Sequence, residues 1–200
     1  MKKIAIPSLL IFFILPLVYC SASTKIYFSP NGGCREAVIE TISKAHETID
    51  IAMYDFTSKP IAEELVKAKK RNVRVRIILD KSQGQQDYSK SKYLTQKGFG
   101  VKYHTGPGLM HNKFAIIDGQ VLLTGSFNWT GMAEQKNEEN LLVMTDQQVI
   151  REYQKRFEYL YRGSTKKEPS YYSTHHKKSY NSTNPNEERP VKFFRKHKYY

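Results

Sequence analysis

The sequence predicts an α/β fold, a layered α/β/α domain around a mixed β-sheet. Three observations lead there. Strand-like apolar runs alternate with helical periodicity between Lys25 and His104, as in units where helices cross over between strands. Asp118-Gly119 then links two short apolar runs, the mark of an antiparallel hairpin. A length of 200 residues leaves room for one sizeable core with a further segment at each end.

The elements can be taken in order. MKK followed by IAIPSLLIFFILPLVYC has the build of a secretory signal over residues 1–22, cleaved after Ala22. The apolar run is shorter than the roughly 20 residues of a spanning helix, and Pro7 and Pro16 interrupt it. An N-terminal membrane anchor is the alternative. Acylation at Cys20 ranks third, because Tyr19 is bulky for the position before a lipidated cysteine. Export, secreted or periplasmic, is the expectation. With Cys20 removed, Cys34 has no internal disulfide partner, and a small buried residue at a helix start is its expected role.

KIYFS (Lys25–Ser29) reads as a strand and PNGG as a turn. CREAVIETISKAH places Ala37, Val38, Thr41, Ile42 and Ala45 on one helical face. TIDIAMYDF is a strand of the buried kind. Ser58 as N-cap and Pro60 in the first turn open a helix that ends near Arg71. VRVRIILD alternates and then turns wholly apolar, as a strand entering a core does. DYSKSKYLTQKG is a short helix stopped by Gly98, and GVKYH is another strand. TGPGLM is a loop, a flexible approach to the hairpin that follows. ENLLVMT adds a last strand, and DQQVIREYQKRFEYLYR a closing amphipathic helix capped by Asp146. Asp50, Asp55 and Asp80 stand at strand ends; Asp55 and Asp80 could reach the edge that carries the chemistry, but structural roles are expected of all three. The folded domain therefore spans 23–162.

From 163 to 200 the pattern dissolves into Ser, Asn, Pro, Lys and Tyr, and reads as a disordered basic and aromatic tail. The formal net charge is +13, of which Lys2 and Lys3 supply +2. Nine Lys/Arg against three Glu give the tail +6, leaving +5 on the body. Such a balance suits anionic partners, nucleic acid or an acidic membrane surface. Rings interleaved with cations in the tail suit single-stranded nucleic acid or anionic membrane contact, and solvation alone is a third reading.

The chemistry concentrates in HNKFAIIDGQVLLTGSFNW. His111 and Lys113 are two apart and share a strand face, as do Ser126 and Asn128 beside Gly125. A hairpin about Asp118-Gly119 returns the end of the second strand to the start of the first. That gathers all four at one edge. A cation, an amide and a hydroxyl around an imidazole form a phosphate cradle with a nucleophile or base at its centre. Trp129 either stacks on substrate or packs beneath the site.

Six residues, His111, Lys113, Asp118, Gly125, Ser126 and Asn128, satisfy H-x-K-x(4)-D-x(6)-G-S-x-N in full. In this the chain resembles the phospholipase D superfamily, and in size and layout its single-motif bacterial endonucleases, from about Lys25 to Arg162. The resemblance implies a phospholipase D/nuclease-like fold and a metal-independent phosphodiesterase that forms a phosphohistidine. His111 would attack phosphorus, while Lys113, Ser126 and Asn128 hold the phosphate; Trp129 is a candidate substrate contact from its place beside Asn128 and not from the resemblance. Asp118 matches the motif aspartate, and its place in the turn suggests support. Glu139 matches the acidic residue that steadies the histidine ring, with Glu138 the weaker candidate. One motif and a need for two histidines imply a homodimer with a shared site. The expected substrate is DNA or RNA, with phospholipid headgroups as the alternative and a non-catalytic binding module a distant third. The sequence carries no H-E-x-x-H and no Cys cluster, and neither a metal nor another cofactor is expected.

Overall fold

The computed structural model describes residues 22–163. The expected signal peptide or anchor and the expected tail lie outside these residues. Seven strands form one sheet: β1 (Thr24–Ser29), β2 (Thr48–Met53), β3 (Arg74–Leu79), β4 (Val101–Tyr103), β5 (Lys113–Ile117), β6 (Val121–Gly125) and β7 (Glu139–Met144). Their spatial order is β1-β7-β6-β5-β2-β3-β4. Pairing is parallel for β2 with β3 and β3 with β4, and antiparallel for the four other pairs. The mixed sheet has the predicted origin: early helical crossovers give the parallel half, and the later hairpin gives the antiparallel half.

Helices α1 (Cys34–Ser43) and α2 (Lys59–Lys70) cover one face. Ala37, Val38 and Ile42 of α1 and Ile61, Leu65 and Ala68 of α2 pack there against Ile49, Ile51, Ile77, Ala115 and Leu123. Removing the Val, Ile and Leu side chains of this set from water stabilises the fold by roughly 1.5–3 kcal/mol each. Cys34 is the first residue of α1 and fully buried, as expected. Burial, followed by the nearby charges of Glu134, Glu139 and Glu36, pushes its thiol up to about 11, which suits packing and not nucleophilic chemistry.

The closing helix α6 (Gln147–Arg162) covers the other face. Asp146 caps it by accepting from the N–H groups of Gln148 and Val149. Ile150, Phe157 and Leu160 pack on Ala52, Ile78, Phe114 and Ile116. A polar knot ties helix to sheet: Arg76 donates to both carboxylate oxygens of Asp50 and to Glu158, and Gln154 donates to Asp50. Asp50 has the structural role expected of it. Because α6 lies over β2, β3 and β5, the β1–β7 part of this face is less covered. Ile26, opposite Leu142 in register, is 57 % exposed and Phe28 64 % exposed.

Three short helices depart from the sequence reading. DYSKSKYLTQKG yields only α4 (Ser91–Gln96), preceded by a separate turn of helix, α3 (Lys81–Gly84), which Asp80 caps through the N–H groups of Ser82 and Gln83. After the hairpin, α5 (Gly131–Gln135) is capped by the Thr130 hydroxyl. At four to six residues, none has room for the apolar periodicity that reveals a helix. The strand predicted over TIDIAMYDF stops at Met53. Tyr54, Asp55 and Phe56 turn away, and Phe56 forms a parallel bridge with Trp129.

Candidate active site

Two ends of the hairpin must be distinguished. At its turn, Asp118 and Gly119 have φ of 52° and 62°, both in the left-handed region that a type I′ connection requires. At its open end, Phe114 pairs with Thr124 and Met53 with Lys113, so the start of β5 meets the ends of β2 and β6. There β6 bulges, because the N–H groups of Ser126 and Phe127 both donate to the carbonyl of Asn140, at 3.1 and 3.2 Å. A bulge of this kind re-aims the side chains beyond it. Gly125 makes it possible: its φ is +148°, and a Cβ there would lie 2.2 Å from the Asn140 carbonyl oxygen.

His111 is exposed just before β5. Its ring meets the Tyr54 ring edge-on, with centroids 4.4 Å apart. Lys113 lies over the same Tyr54 ring, Nζ 4.9 Å from its centroid, and donates to the His111 carbonyl at 2.9 Å. Tyr54 therefore spaces the imidazole and the ammonium, while Gln83 of α3 donates to its hydroxyl. Burial holds the Lys113 ammonium below the ordinary lysine range, opposed by the charges of Glu139 and Asp55. A cation this weakly hydrated is poised to gain from an arriving phosphate.

Ser126 and Asn140 bond reciprocally: Ser126 N–H donates to the Asn140 amide oxygen, and Asn140 N–H donates to the Ser126 hydroxyl. The serine keeps its own proton for a ligand. Asn128 and Asp55 run side by side, since Trp129 N–H donates to the Asp55 carbonyl at 3.1 Å. Each carries a buried Oδ1 without a hydrogen-bond partner. Burial pushes the Asp55 carboxyl above the usual range, against the Phe56 N–H and the Lys113 charge.

Not every expected site residue joins this group. Trp129 is 1 % exposed and packs edge-on against Phe56, centroids 5.1 Å apart. The substrate contact expected of it is corrected: its ring is core beneath the site, and its backbone aligns Asp55 and Asn128. Asp118 sits at the turn, the length of β5 away from His111, and accepts from the N–H groups of His46, Glu47 and Thr48. It matches the motif aspartate without reaching the other motif residues, and it supports the hairpin, as its place in the turn suggested. Burial would raise its carboxyl, but the three N–H donors prevail and hold it below the usual range. Glu139 opens β7 and accepts from Asn137. Its charge bears on Lys113, and among the described residues no hydrogen bond joins it to His111. Glu138 is exposed.

The sequence reading missed Tyr54, hidden inside an apolar run, and Asn140, which had no motif to mark it. Asp80 has the structural role expected of it. Besides capping α3, that carboxylate accepts from the N–H of Met110, one residue before His111. Asp80 thereby fixes the end of the approach loop. Among the described residues no group of three or more His, Cys, Asp or Glu is placed to hold a metal ion. A cavity of about 300 Å³, lined in part by Lys25, Glu40, Lys44 and Asp118, lies at the turn end of the strands and is separate from this site.

Residues 38–161 match the family described as cardiolipin synthase, PLD-like domain. Phospholipase D of Rickettsia typhi is 38 % identical over 126 residues, 63 % of this chain and 62 % of its own length. Mitochondrial cardiolipin hydrolase of Xenopus laevis is 38 % identical over 117 residues, 58 % of this chain and 56 % of its own length. The chain thus spans about three fifths of the curated relatives it matches. Among solved structures, the phospholipase D family member Nuc from Salmonella typhimurium superposes with a TM-score of 0.68 at 30 % identity, covering 71 % of this chain and 95 % of that one. NucT from Helicobacter pylori gives 0.67 at 27 % identity, covering 70 % and 96 %. With the motif residues at the sheet end just described, the chain belongs to the PLD-like domain family of the phospholipase D superfamily.

Proposed function

We propose that this protein is a metal-independent phosphodiesterase acting on nucleic acid, working through a phosphohistidine at a site shared by two copies. One observation carries the reading: Lys113, Ser126, Asn128 and the exposed His111 stand at one sheet end, with a buried cation and a spare hydroxyl proton for phosphate oxygens. In the first step a neutral His111 nitrogen attacks phosphorus. The bond to the leaving oxygen breaks as a second imidazole gives that oxygen a proton. In the second step that imidazole takes a proton from water. The water oxygen then bonds to phosphorus and the P–N bond breaks. Lys113, Asn128 and Ser126 stabilise charge on the non-bridging oxygens in both steps.

The single H-x-K motif supports a homodimer as the source of the second imidazole. So does the uncovered sheet face bearing Ile26 and Phe28, since exposed large apolar side chains on one face mark an interface. The basic body and the likeness to Nuc and NucT favour nucleic acid over lipid. Relatives named phospholipase D and cardiolipin hydrolase favour the second reading, cleavage of a phospholipid headgroup. Leu109, two residues before His111, and Met132, four after Asn128, are 60 % and 61 % exposed, and side chains of that kind can enter a bilayer.

The test offers plasmid, single-stranded DNA, RNA and phospholipid vesicles to the purified protein in excess EDTA. Nucleic-acid cleavage that His111→Ala abolishes is the expected result. Loss of all activity on chelation refutes the metal-free mechanism. Headgroup release without nucleic-acid cleavage replaces the first reading with the second. Phe28→Glu should turn a dimer into a monomer on analytical ultracentrifugation, with loss of turnover. A monomer that keeps full turnover refutes the shared site.

A further inference from the structure

A carboxylate that fixed the phosphate-binding cation in place would also oppose the charge its substrate needs. Lys113 is fixed differently. Among the described residues its ammonium forms no ion pair; it donates to the His111 carbonyl at 2.9 Å and lies over the Tyr54 ring, 4.9 Å from the centroid. The face of an aromatic ring is electronegative and attracts a cation while leaving its formal charge undiminished. With one N–H on the carbonyl and the ring face beside it, the ammonium keeps a further donor for phosphate oxygens.

The same ring reaches the imidazole. The His111 and Tyr54 rings meet edge-on with centroids 4.4 Å apart, a contact that limits how the imidazole can turn. Tyr54, His111 and Lys113 thus close a triangle in which each residue touches the other two. The triangle rests on ordered backbone. Tyr54 directly follows Met53, which pairs with Lys113 across β2 and β5. Its hydroxyl accepts from Gln83 Nε2 at 3.3 Å. Gln83 belongs to α3, and the Asp80 that caps α3 also holds the Met110 N–H. One carboxylate therefore anchors both the support of the ring and the segment that leads to His111.

We infer that Tyr54 is a positioning residue whose ring is a neutral seat: it holds Lys113 and the His111 imidazole in fixed relation before a phosphodiester arrives. Its loss has two separable effects. A wandering Lys113 weakens anion binding, and a freely turning imidazole slows attack on phosphorus. The hydroxyl only braces the ring, so a ring without it serves nearly as well.

The seat rests on the reading of the site as a phosphate cradle but not on which substrate enters it, and the test is chosen accordingly. The full chain is compared with Tyr54→Phe, Tyr54→Leu and replacement of Tyr54 by pentafluorophenylalanine, which keeps the shape of Phe but makes the ring face electropositive. Three readouts are taken: sulfate affinity by calorimetry, kcat and KM for bis(p-nitrophenyl) phosphate, and the NMR signals of the His111 ring protons. Tyr54→Phe should stay within about threefold of wild type throughout. The fluorinated ring should weaken sulfate binding and raise KM by roughly fivefold, the order of one cation–π contact. Tyr54→Leu should do the same and also lower kcat by roughly 10²-fold. It should return the His111 ring protons, displaced in the wild type by the neighbouring ring current, to their ordinary positions.

Equal sulfate affinity with Phe and with the fluorinated ring overturns the seat, because a merely structural ring would not distinguish them. Tighter sulfate binding with the fluorinated ring overturns it too, since the wild-type ring would then compete with the anion for Lys113. Should Tyr54→Leu fail to fold, this comparison of two rings of one shape still decides. His111 ring signals or a kcat unmoved by a folded Tyr54→Leu remove the hold on the imidazole. If the wild type hydrolyses no diester while sulfate affinity and the His111 signals follow the expected pattern, the catalytic reading fails and the seat stands.

Discussion

The two ends of the β5–β6 hairpin are built from the same strands and treat their polar groups in opposite ways. At the turn, Asp118 accepts from three backbone N–H groups and its carboxyl is held below the usual range. At the open end, Asp55 and Asn128 keep buried oxygens without partners, Asp55 is pushed upward, and Lys113 is pushed downward. One end has saturated its hydrogen bonds and the other has left valences for a ligand. An unsatisfied buried polar atom costs roughly 1–3 kcal/mol. A fold tolerates that cost where something arrives to remove it, so the contrast separates support from site within one motif.

The contrast can be broken at either end. At the open end, His111→Ala should lower kcat by about 10⁴-fold or more through loss of the nucleophile, with the melting temperature unchanged. A residual rate within tenfold of wild type would exclude a covalent role. Asn128→Ala should cost about 10²-fold in kcat/KM through loss of one anion-stabilising donor. It should also remove an unpartnered oxygen, so calorimetry should find it no less stable than wild type. At the turn, Asp118→Ala should invert this pattern, lowering the melting temperature by about 6 °C while kcat of the folded enzyme stays within about threefold. A large loss of kcat without loss of stability would put Asp118 back in the chemistry.

Titration sharpens the same comparison with smaller effects. The lowered Asp118 carboxyl contributes stability that is fully present above the ordinary carboxylate value near 3.9 and lost as pH falls through the depressed value. Asp55 has the opposite sign: its raised value favours the folded state while protonated, and that contribution is lost as pH rises through it. Asp55→Asn should accordingly melt about 2 °C higher than wild type at neutral pH. Equal or lower stability would show that the Asp55 charge is already compensated in the fold.

Much of this was legible in the chain. Apolar alternation and the Asp118-Gly119 pair placed every strand to within a few residues, and fixed spacing gathered His111, Lys113, Ser126 and Asn128. Partners brought in from other strands were not legible. Tyr54 reads as one more residue of a buried run until β2 pairs with β5 and its ring meets His111. Asn140 matters only because β7 lies beside β6. Trp129 was ambiguous for a related reason: next to a motif residue it could stack on substrate or pack beneath the site, and only its edge-on contact with Phe56 decides for packing. Spacing along a chain reports what one strand presents. It is silent on what neighbouring strands contribute.

The bond from Met110 N–H to Asp80 has a bearing on timing. It leashes the segment entering the motif to the far end of β3 one residue before His111, the nucleophile proposed above. Immobilising that segment is thus settled when the protein folds and is not charged against each encounter with a substrate. Cutting the leash should leave a nucleophile that is chemically intact but late, spending its time finding the angle of attack.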